Sequence, residues 1–363
     1  MPTAIAIKQV PGKPGEVYYP LEHISLPTPT LGANDVEVSL LAAALNHRDL
    51  FIRQHLYPGT AFSIPLLADG CGIVVRTGSS STAQSWHGKR VILNPGLGWK
   101  DDAEGPEDPK GYQIMGGTKY YKAGTLAESI VVPAAELEFA PEHLSAVQAA
   151  ALPLTGLTAW RATVTKSGNA KEGRNILITG IGGGVALMAL EFAAAAGANV
   201  YVTSGSEEKL KKAKELGAKG GVSYKEKGWE KKLLALLPKE RPLVDAIIDG
   251  AGGDVMDKAQ RVLKAGGVVV SYGMTVGPKM PFQMGAVLKN IELRGSTMGS
   301  RKEFADMVRF VTEKKVVPVV SRSVKGLKDL SAIDGLFEDM KNASQFGKLV
   351  VEIESEDGVK SKL

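Results

Sequence analysis

Two hydrophobic rhythms divide this chain. In the first third, short apolar and β-branched runs alternate with turns. Ala4–Gln9, Asp35–Ala43, Gly72–Thr77, Arg90–Leu93 and Ser129–Val132 read as strands separated by Gly, Pro and polar residues. Few helices are expected there. Residues 94–124 form a polar stretch too long for a mere connector, and read as a surface lobe or a lid. From about residue 145 the rhythm changes. Ser145–Ala151 reads as a helix with Ser145 as its N-cap, and Thr155–Thr165 as a second helix. Strands at Ile176–Thr179, Val200–Thr203, Gly221–Ser223, Val244–Ile248, Val268–Ser271 and Ile291–Arg294 follow. Helices at Val185–Ala196, Glu207–Leu216, Trp229–Leu237 and Met256–Leu263 are interleaved with them. That alternation predicts a parallel sheet covered by helices on both faces. Lys302–Lys314 then reads as a helix, and Arg322–Val324 and Lys348–Glu352 as strands returning to the first domain. The polar tail Glu354–Leu363 is expected to fray.

The joint between strand Ile176–Thr179 and the next helix carries the first chemical signal. Gly180, Gly182, Gly183 and Gly184 form a glycine turn, followed by Val185 and by Ala186 in place of a further glycine. Glycines let backbone approach a pyrophosphate, and the helix after them aims its free N–H groups and positive dipole end at that charge. The turn alone is weak evidence. Its context is stronger, because a strand precedes it, a small-residue helix follows, and a second strand begins soon after. At the end of that second strand an NAD site usually carries Asp or Glu for the ribose hydroxyls. Here the position holds Ser204, with Lys209 shortly after and Tyr224 beyond the next strand. A carboxylate would repel a 2′-phosphate, whereas hydroxyls and a lysine accept one. The expected cofactor is therefore NADP(H). Gly250 and Gly273 fall at strand ends that should border it.

Composition narrows the class without naming a substrate. The chain has 363 residues, 44% hydrophobic and 23% charged, which suits two ordinary globular domains. Its single cysteine, Cys71, precludes an intrachain disulfide and reads as a small core residue. The net charge of +5 comes largely from lysines between 209 and 232. These alternate with Glu207, Glu208, Glu215, Glu226 and Glu230 and read as a solvated helix face. Without aromatic interleaving they do not suggest nucleic-acid binding. No apolar run is long enough to span a membrane, and the start lacks a signal-peptide core, so a cytoplasmic protein is expected.

Several segments together resemble the medium-chain dehydrogenase/reductase superfamily, and within it the zinc-free quinone oxidoreductase-like branch. They are residues 46–58 (Asn-His-Arg-Asp-Leu-Phe-Ile-Arg-Gln-His-Leu-Tyr-Pro), Ala68–Val75, Gly124–Ser129, Ala151–Ala159, the glycine turn, Leu216–Ala218 and Gly347–Val351. The resemblance implies an α/β protein with a GroES-like β domain plus a Rossmann doubly wound parallel-sheet domain. The expected divisions are 1–153, 154–298 and 299–363, the last returning to the first domain. It also implies an interdomain cleft for nicotinamide and a small-molecule substrate. In its NADPH-using members, a lysine and a tyrosine spaced like Lys209 and Tyr224 hold the 2′-phosphate. Zinc-dependent relatives place a cysteine where this chain has Asn46 and a histidine where it has Ala68. Neither substitute is a good zinc ligand, and the 94–124 lobe lacks the four cysteines of a structural zinc. A site from His47, Asp49 and His55 is conceivable but disfavoured.

Without zinc to stabilise an alkoxide, reduction of an activated C=C beside a carbonyl, or of a quinone, is the expected chemistry. Tyr57 is the candidate proton donor. Asn46 is expected to orient the nicotinamide ribose or the substrate carbonyl, unless it merely stabilises a turn. Thr155 and Ser300 are expected beside the cofactor, and Asp49 as a structural partner for Arg53 or a backbone amide. Two other readings stand beside this one. The first is a zinc-free dehydrogenase or trans-acting enoyl reductase. The second is a cofactor-binding structural or redox-sensing protein with little turnover. A homodimer is expected, with Met280–Ile291 as the contact segment.

Overall fold

The computed structural model describes every residue except Pro278 and Lys362. The chain forms two compact units. One comprises Met1–Leu154 with Ser300–Leu363, and the other Thr155–Gly299.

The first unit is built on strands whose alternating side chains meet one core. β1 (Thr3–Ile7) pairs antiparallel with β2 (Leu21–Ser25). β3 (Asp35–Ala44) is the long central strand, paired with β4 (Asp69–Thr77), which pairs in turn with β5 (Arg90–Leu93). Two-residue strands β6 (Gly96–Leu97) and β7 (Gln113–Ile114) pair within the 94–124 lobe. β8 (Ser129–Pro133) also pairs with β3, and β9 (Leu137–Phe139) with β5. As expected, helices are few among these strands: short helices at His47–Arg53, just after β3, and at Ser81–Gln84.

The lobe is ordered by a carboxylate. Glu107 accepts the backbone N–H groups of Lys100 (2.6 Å), Asp101 (2.7 Å) and Asp102 (2.8 Å). Those three bonds hold its pKa at about 2 against an ordinary 4.5.

The second unit is the expected parallel sheet. Its strands are β10 (Asn175–Ile178), β11 (Asn199–Ser204), β12 (Gly220–Ser223), β13 (Val244–Asp249), β14 (Leu263–Ser271) and β15 (Glu292–Gly295). Their order is β12-β11-β10-β13-β14-β15, all parallel. β10 and β13 are buried on both faces, as a sheet covered by helices requires. The strand order reverses between β10 and β13, so the crevice beyond their carboxyl ends is where such sheets take ligands. Leu177, Ile247, Val269, Met256 and Trp229 share the core under this sheet. Glu230 departs from the solvated-face expectation. It is 4% exposed and ion-paired with Arg261 (3.1 Å) and Lys258 (3.3 Å).

The chain then returns to the first unit through β16 (Val320–Lys325) and β17 (Lys348–Glu352). β17 pairs with β3, completing the order β16-β17-β3-β4-β5-β9. Helix Leu330–Lys341, absent from the expectations, packs Ile333, Leu336, Phe337 and Met340 into the core with Leu50 and Ile52. The tail is not frayed along its length. Ser355 caps a short helix, Glu356–Lys360, through the Gly358 N–H, and Val359 is buried against Leu41 and Ile73. Among the described residues no helix is long and apolar enough to cross a membrane.

Candidate active site

In the second unit, β10 ends in a turn that only glycine adopts comfortably. Gly180 has φ +63° and Gly182 φ +132°. The Gly180 N–H donates to Thr203 Oγ1 at 3.1 Å and the Ile181 N–H to the Thr203 carbonyl at 2.8 Å, tying the turn to β11. Gly183 is the N-cap of helix Gly184–Ala195, and no side chain caps that helix. Gly184 and Val185 stand in its first turn. A Cβ added at Gly180 or Gly183 would meet nothing within 4 Å. Open backbone at an uncapped helix N-terminus fits the pyrophosphate of a dinucleotide.

Lys209, from helix Glu207–Glu215, lies against this turn, and Tyr224, just after β12, lies against Gly205. A Cβ on Gly182 would sit 3.0 Å from Lys209 Cδ and 3.4 Å from its Nζ, so the lysine lies over the turn. Partial burial lowers the Lys209 pKa from its ordinary value, against the Coulombic pull of Glu208. A Cβ on Gly205 would sit 2.6 Å from the Tyr224 hydroxyl. Ser204, the last residue of β11, is buried, and its Oγ accepts the Ser206 N–H at 3.2 Å. At the ends of β13 and β14, Gly250 and Gly273 face each other, the Gly273 Cβ position lying 3.3 Å from the Gly250 carbonyl oxygen. Asp249 beside them was not foreseen. It accepts Thr179 Oγ1–H at 2.6 Å and the Gly252 N–H at 2.8 Å, joining β10 to β13 at the switch point. Burial raises its pKa. Thr155 is buried in the first turn of helix Pro153–Trp160.

In the first unit, Asn46 is the N-cap of helix His47–Arg53. Asp49 accepts the Asn46 backbone N–H at 2.8 Å, as one of its two expected roles required. Burial raises the Asp49 pKa to about 6. Arg53 is not its partner. That guanidinium donates to the Tyr19 carbonyl (2.9 Å) and pairs with Asp334 (2.5 Å). Tyr57 is half-buried, with the Arg48 guanidinium 4.6 Å from its ring centroid. Arg48 is itself anchored on the Met115 and Gly116 carbonyls at 2.9 and 3.1 Å. The Tyr57 hydroxyl has no hydrogen-bond partner among the described residues, whereas the Tyr57 carbonyl accepts the Thr60 hydroxyl at 2.8 Å. Ser300 also lies in this unit. Its hydroxyl accepts the Glu303 N–H at 3.1 Å as the N-cap of helix Arg301–Lys314, a capping role the sequence reading did not assign. Cys71 is fully buried, and burial pushes its thiol up to about 12.

The Asn46 side chain is held by two residues not singled out beforehand. Its Nδ2 donates to Asp69 Oδ2 at 2.9 Å, and its Oδ1 accepts from Lys348 Nζ at 2.6 Å. Lys348 also donates to Asp69 Oδ2 at 2.7 Å and to the Leu45 carbonyl at 2.6 Å. Asp69 Oδ1 takes the Leu154 N–H at 2.7 Å. This donor set does not fit zinc. Asn46 offers an amide, Ala68 offers no ligand atom, and the adjacent carboxylate is neutralised by an ammonium that a dication would have to displace. The alternative trio is dispersed in the same way. His47 meets Phe51 edge to face with ring centroids 4.7 Å apart, and His55 Nδ1 meets the Tyr19 hydroxyl at 2.6 Å. Among the described residues no group of three or more His, Cys, Asp or Glu side chains is placed to hold a metal ion.

Residues 32–142 match the alcohol dehydrogenase GroES-like domain family and residues 184–313 the zinc-binding dehydrogenase family. A zinc-type alcohol dehydrogenase-like protein of Leptosphaeria maculans is 54% identical, covering 97% of this chain and 100% of that protein. One from Schizosaccharomyces pombe is 32% identical, covering 89% and 92%. Among solved structures, an NAD-dependent alcohol dehydrogenase superposes with a TM-score of 0.81 at 33% identity, covering 97% of this chain and 100% of that one. A crotonyl-CoA carboxylase/reductase in complex with NADP shares the fold, with a TM-score of 0.83 at 20% identity, over 97% and 95%.

Proposed function

Because the chain belongs to the medium-chain dehydrogenase/reductase superfamily of oxidoreductases, we propose that it is a zinc-independent, NADPH-dependent reductase of an activated C=C bond (an enone) or of a quinone. One observation carries the cofactor choice: the Lys209 side chain lies over Gly182, and β11 ends in Ser204 where an NAD site carries a carboxylate. When bound, the dinucleotide supplies hydride to the electron-poor carbon. The chain's own residues do the rest. The uncapped N-terminus of helix Gly184–Ala195 holds the pyrophosphate, with Gly180, Gly182, Gly183, Gly184 and Val185 leaving room for it. Lys209, Ser204 and Tyr224 hold the 2′-phosphate, and Gly250, Gly273 and Thr155 border the nicotinamide side. Asn46 donates to the substrate oxygen, and the unbonded Tyr57 hydroxyl supplies the proton.

Relatives named alcohol dehydrogenases do not shift this reading to alcohol oxidation. That reaction needs a stabilised alkoxide, and the residues at Asn46, Ala68 and Asp69 offer no metal site to stabilise one. The exposed Met284 (66%), Val287 (51%) and Leu288 (74%) lie between β14 and edge strand β15 and support a homodimer through that edge. Stopped-flow oxidation of NADPH by an enone and by a quinone, with metal analysis of the same preparation, tests the function. The expected result is rapid NADPH consumption at sub-stoichiometric zinc. One tightly bound zinc per chain, or turnover confined to alcohols, overturns it.

A further inference from the structure

Lys348 is a cation in an unusual place. It is 4% exposed at the start of β17, ahead of the apolar run Leu349–Val351. A lysine ammonium has three donors and no acceptor. All three are spent, on the Leu45 carbonyl, Asn46 Oδ1 and Asp69 Oδ2 at 2.6, 2.6 and 2.7 Å. Two consequences follow from that saturation. Lys348 has no hydrogen bond left for a ligand, so it is not itself a catalytic residue. In addition, the Asn46 atom facing it must be the carbonyl oxygen, since the NH2 group would set donor against donor.

Asp69 imposes the same choice from the other side. Its carboxylate only accepts, so it takes the Asn46 NH2 group, at 2.9 Å. An asparagine amide is ordinarily free to exchange its two ends. Here a positive and a negative group forbid the exchange together. One Nδ2–H is donated to Asp69, and the other has no acceptor among the described residues. The backbone beneath is fixed as well, because Asp49 holds the Asn46 N–H and the Leu45 carbonyl takes a lysine proton.

We propose that Lys348 is a positioning residue. Paired with Asp69, it locks the Asn46 carboxamide so that the remaining N–H is presented as a donor to the oxygen that gains negative charge when substrate is reduced. The identity of that oxygen rests on the reductase reading above, whereas the locking of the amide does not. The ammonium–carboxylate pair thus gives this site a fixed orientation where zinc relatives use a metal.

Two measurements test this. Lys348→Met alone leaves the Asp69 charge unpaired, so the decisive variant is Lys348→Met with Asp69→Asn. Asparagine at 69 both donates and accepts, so it permits either orientation of Asn46. The first measurement needs no substrate. In protein labelled with ¹⁵N-asparagine, the side-chain NH2 signal of Asn46, assigned by its loss in Asn46→Asp, should be protected from solvent exchange. Protection should fall on the order of tenfold in the paired variant. The second is turnover with NADPH and an enone or quinone. In the paired variant kcat should fall on the order of tenfold, less than the full loss of an oxyanion donor, with KM for NADPH unchanged. Adding Asn46→Ala to the paired variant should slow it no further than Asn46→Ala alone. An Asn46 signal equally protected in the folded paired variant overturns the locking. An unchanged kcat, or losses that simply multiply with Asn46→Ala, overturns the positioning role. A wild-type protein that reduces neither acceptor sinks the reductase reading instead, and the exchange measurement then decides the locking alone.

Discussion

Truncating Lys209 is the sharpest probe of the cofactor assignment, because it should change one cofactor's affinity and spare the other. The lysine is carried on helix Glu207–Glu215, capped by Ser206, whose Oγ accepts the Lys209 N–H at 3.4 Å. Lys209→Ala leaves that backbone bond and the cap in place. What it removes is an ammonium over Gly182, on a side chain already partly desolvated. A hydrogen bond to a charged group is worth about 1.5–3 kcal/mol. Lys209 is only half-buried, and solvent screening trims that to about 1–2 kcal/mol. At about 1.4 kcal/mol per tenfold, NADPH should bind roughly 5- to 30-fold more weakly. NADH presents no 2′-phosphate and should lose less than about twofold. Fluorescence titration of each reduced dinucleotide against wild type and variant measures both losses on one preparation. Raising the salt concentration should narrow the wild-type preference for NADPH, since an exposed charge contact is screened. Equal weakening of both cofactors would place Lys209 at the shared pyrophosphate or in the fold. No weakening of either would return it to the solvated lysines of its helix. Either outcome refutes the 2′-phosphate assignment.

Other consequences are checked as directly. Glu107 has a folded-state pKa of about 2 against an ordinary 4.5, a depressed value. Its contribution to lobe stability is therefore complete above about pH 4.5 and lost as pH falls towards 2. Amide exchange at residues 100–102 should accelerate over that window in wild type, and the pH dependence should vanish in Glu107→Gln. Val359 is 1% exposed. Replacing it with Asp should cost about 1.5–3 kcal/mol of burial and lower the melting temperature by several degrees without weakening NADPH binding. An unchanged melting temperature would show the tail helix undocked in solution. Val287→Lys with Leu288→Glu should convert a light-scattering dimer into a monomer. A wild type that is already monomeric ends the dimer proposal.

What could be read in the sequence follows the range over which each feature is determined. The glycine turn and the alternation from β10 to β14 are local. A buried parallel strand announces itself by consecutive apolar residues, as at Ile176–Ile178 in β10 and Ala246–Ile248 in β13, and Gly180 and Gly182 are needed where the backbone takes positive φ. Lys209 and Tyr224 could be singled out because each follows closely on a strand end, where the fold fixes direction. Helix Leu330–Lys341 was just as local, with Ile333, Leu336, Phe337 and Met340 at helical spacing.

Helix His47–Arg53 is different. Seven residues that include His, two Arg and Asp carry no readable period. Its anchors come from outside, from the Tyr19 carbonyl and Asp334 on Arg53 and from Met115 and Gly116 on Arg48. Val359 lacked a signal for a similar reason, being a single apolar residue in a polar tail.

Lys348 is the extreme case. A lone lysine at the start of an apolar strand ordinarily marks a solvated end. It is buried only because β17 inserts between β16 and β3, beside the residues that end β3 and begin β4. Its partners Asn46 and Asp69 lie 302 and 279 residues away in sequence. Asn46 and Ala68 stand where the resemblance expects the metal ligands of zinc-dependent relatives. They do not say what balances the Asp69 carboxylate, and a buried carboxylate without a cation is too costly to keep. That requirement was implicit in the run Leu66–Val75, where Asp69 is the one charged residue, and the sheet order decides that the cation answering it comes from the last strand rather than from solvent.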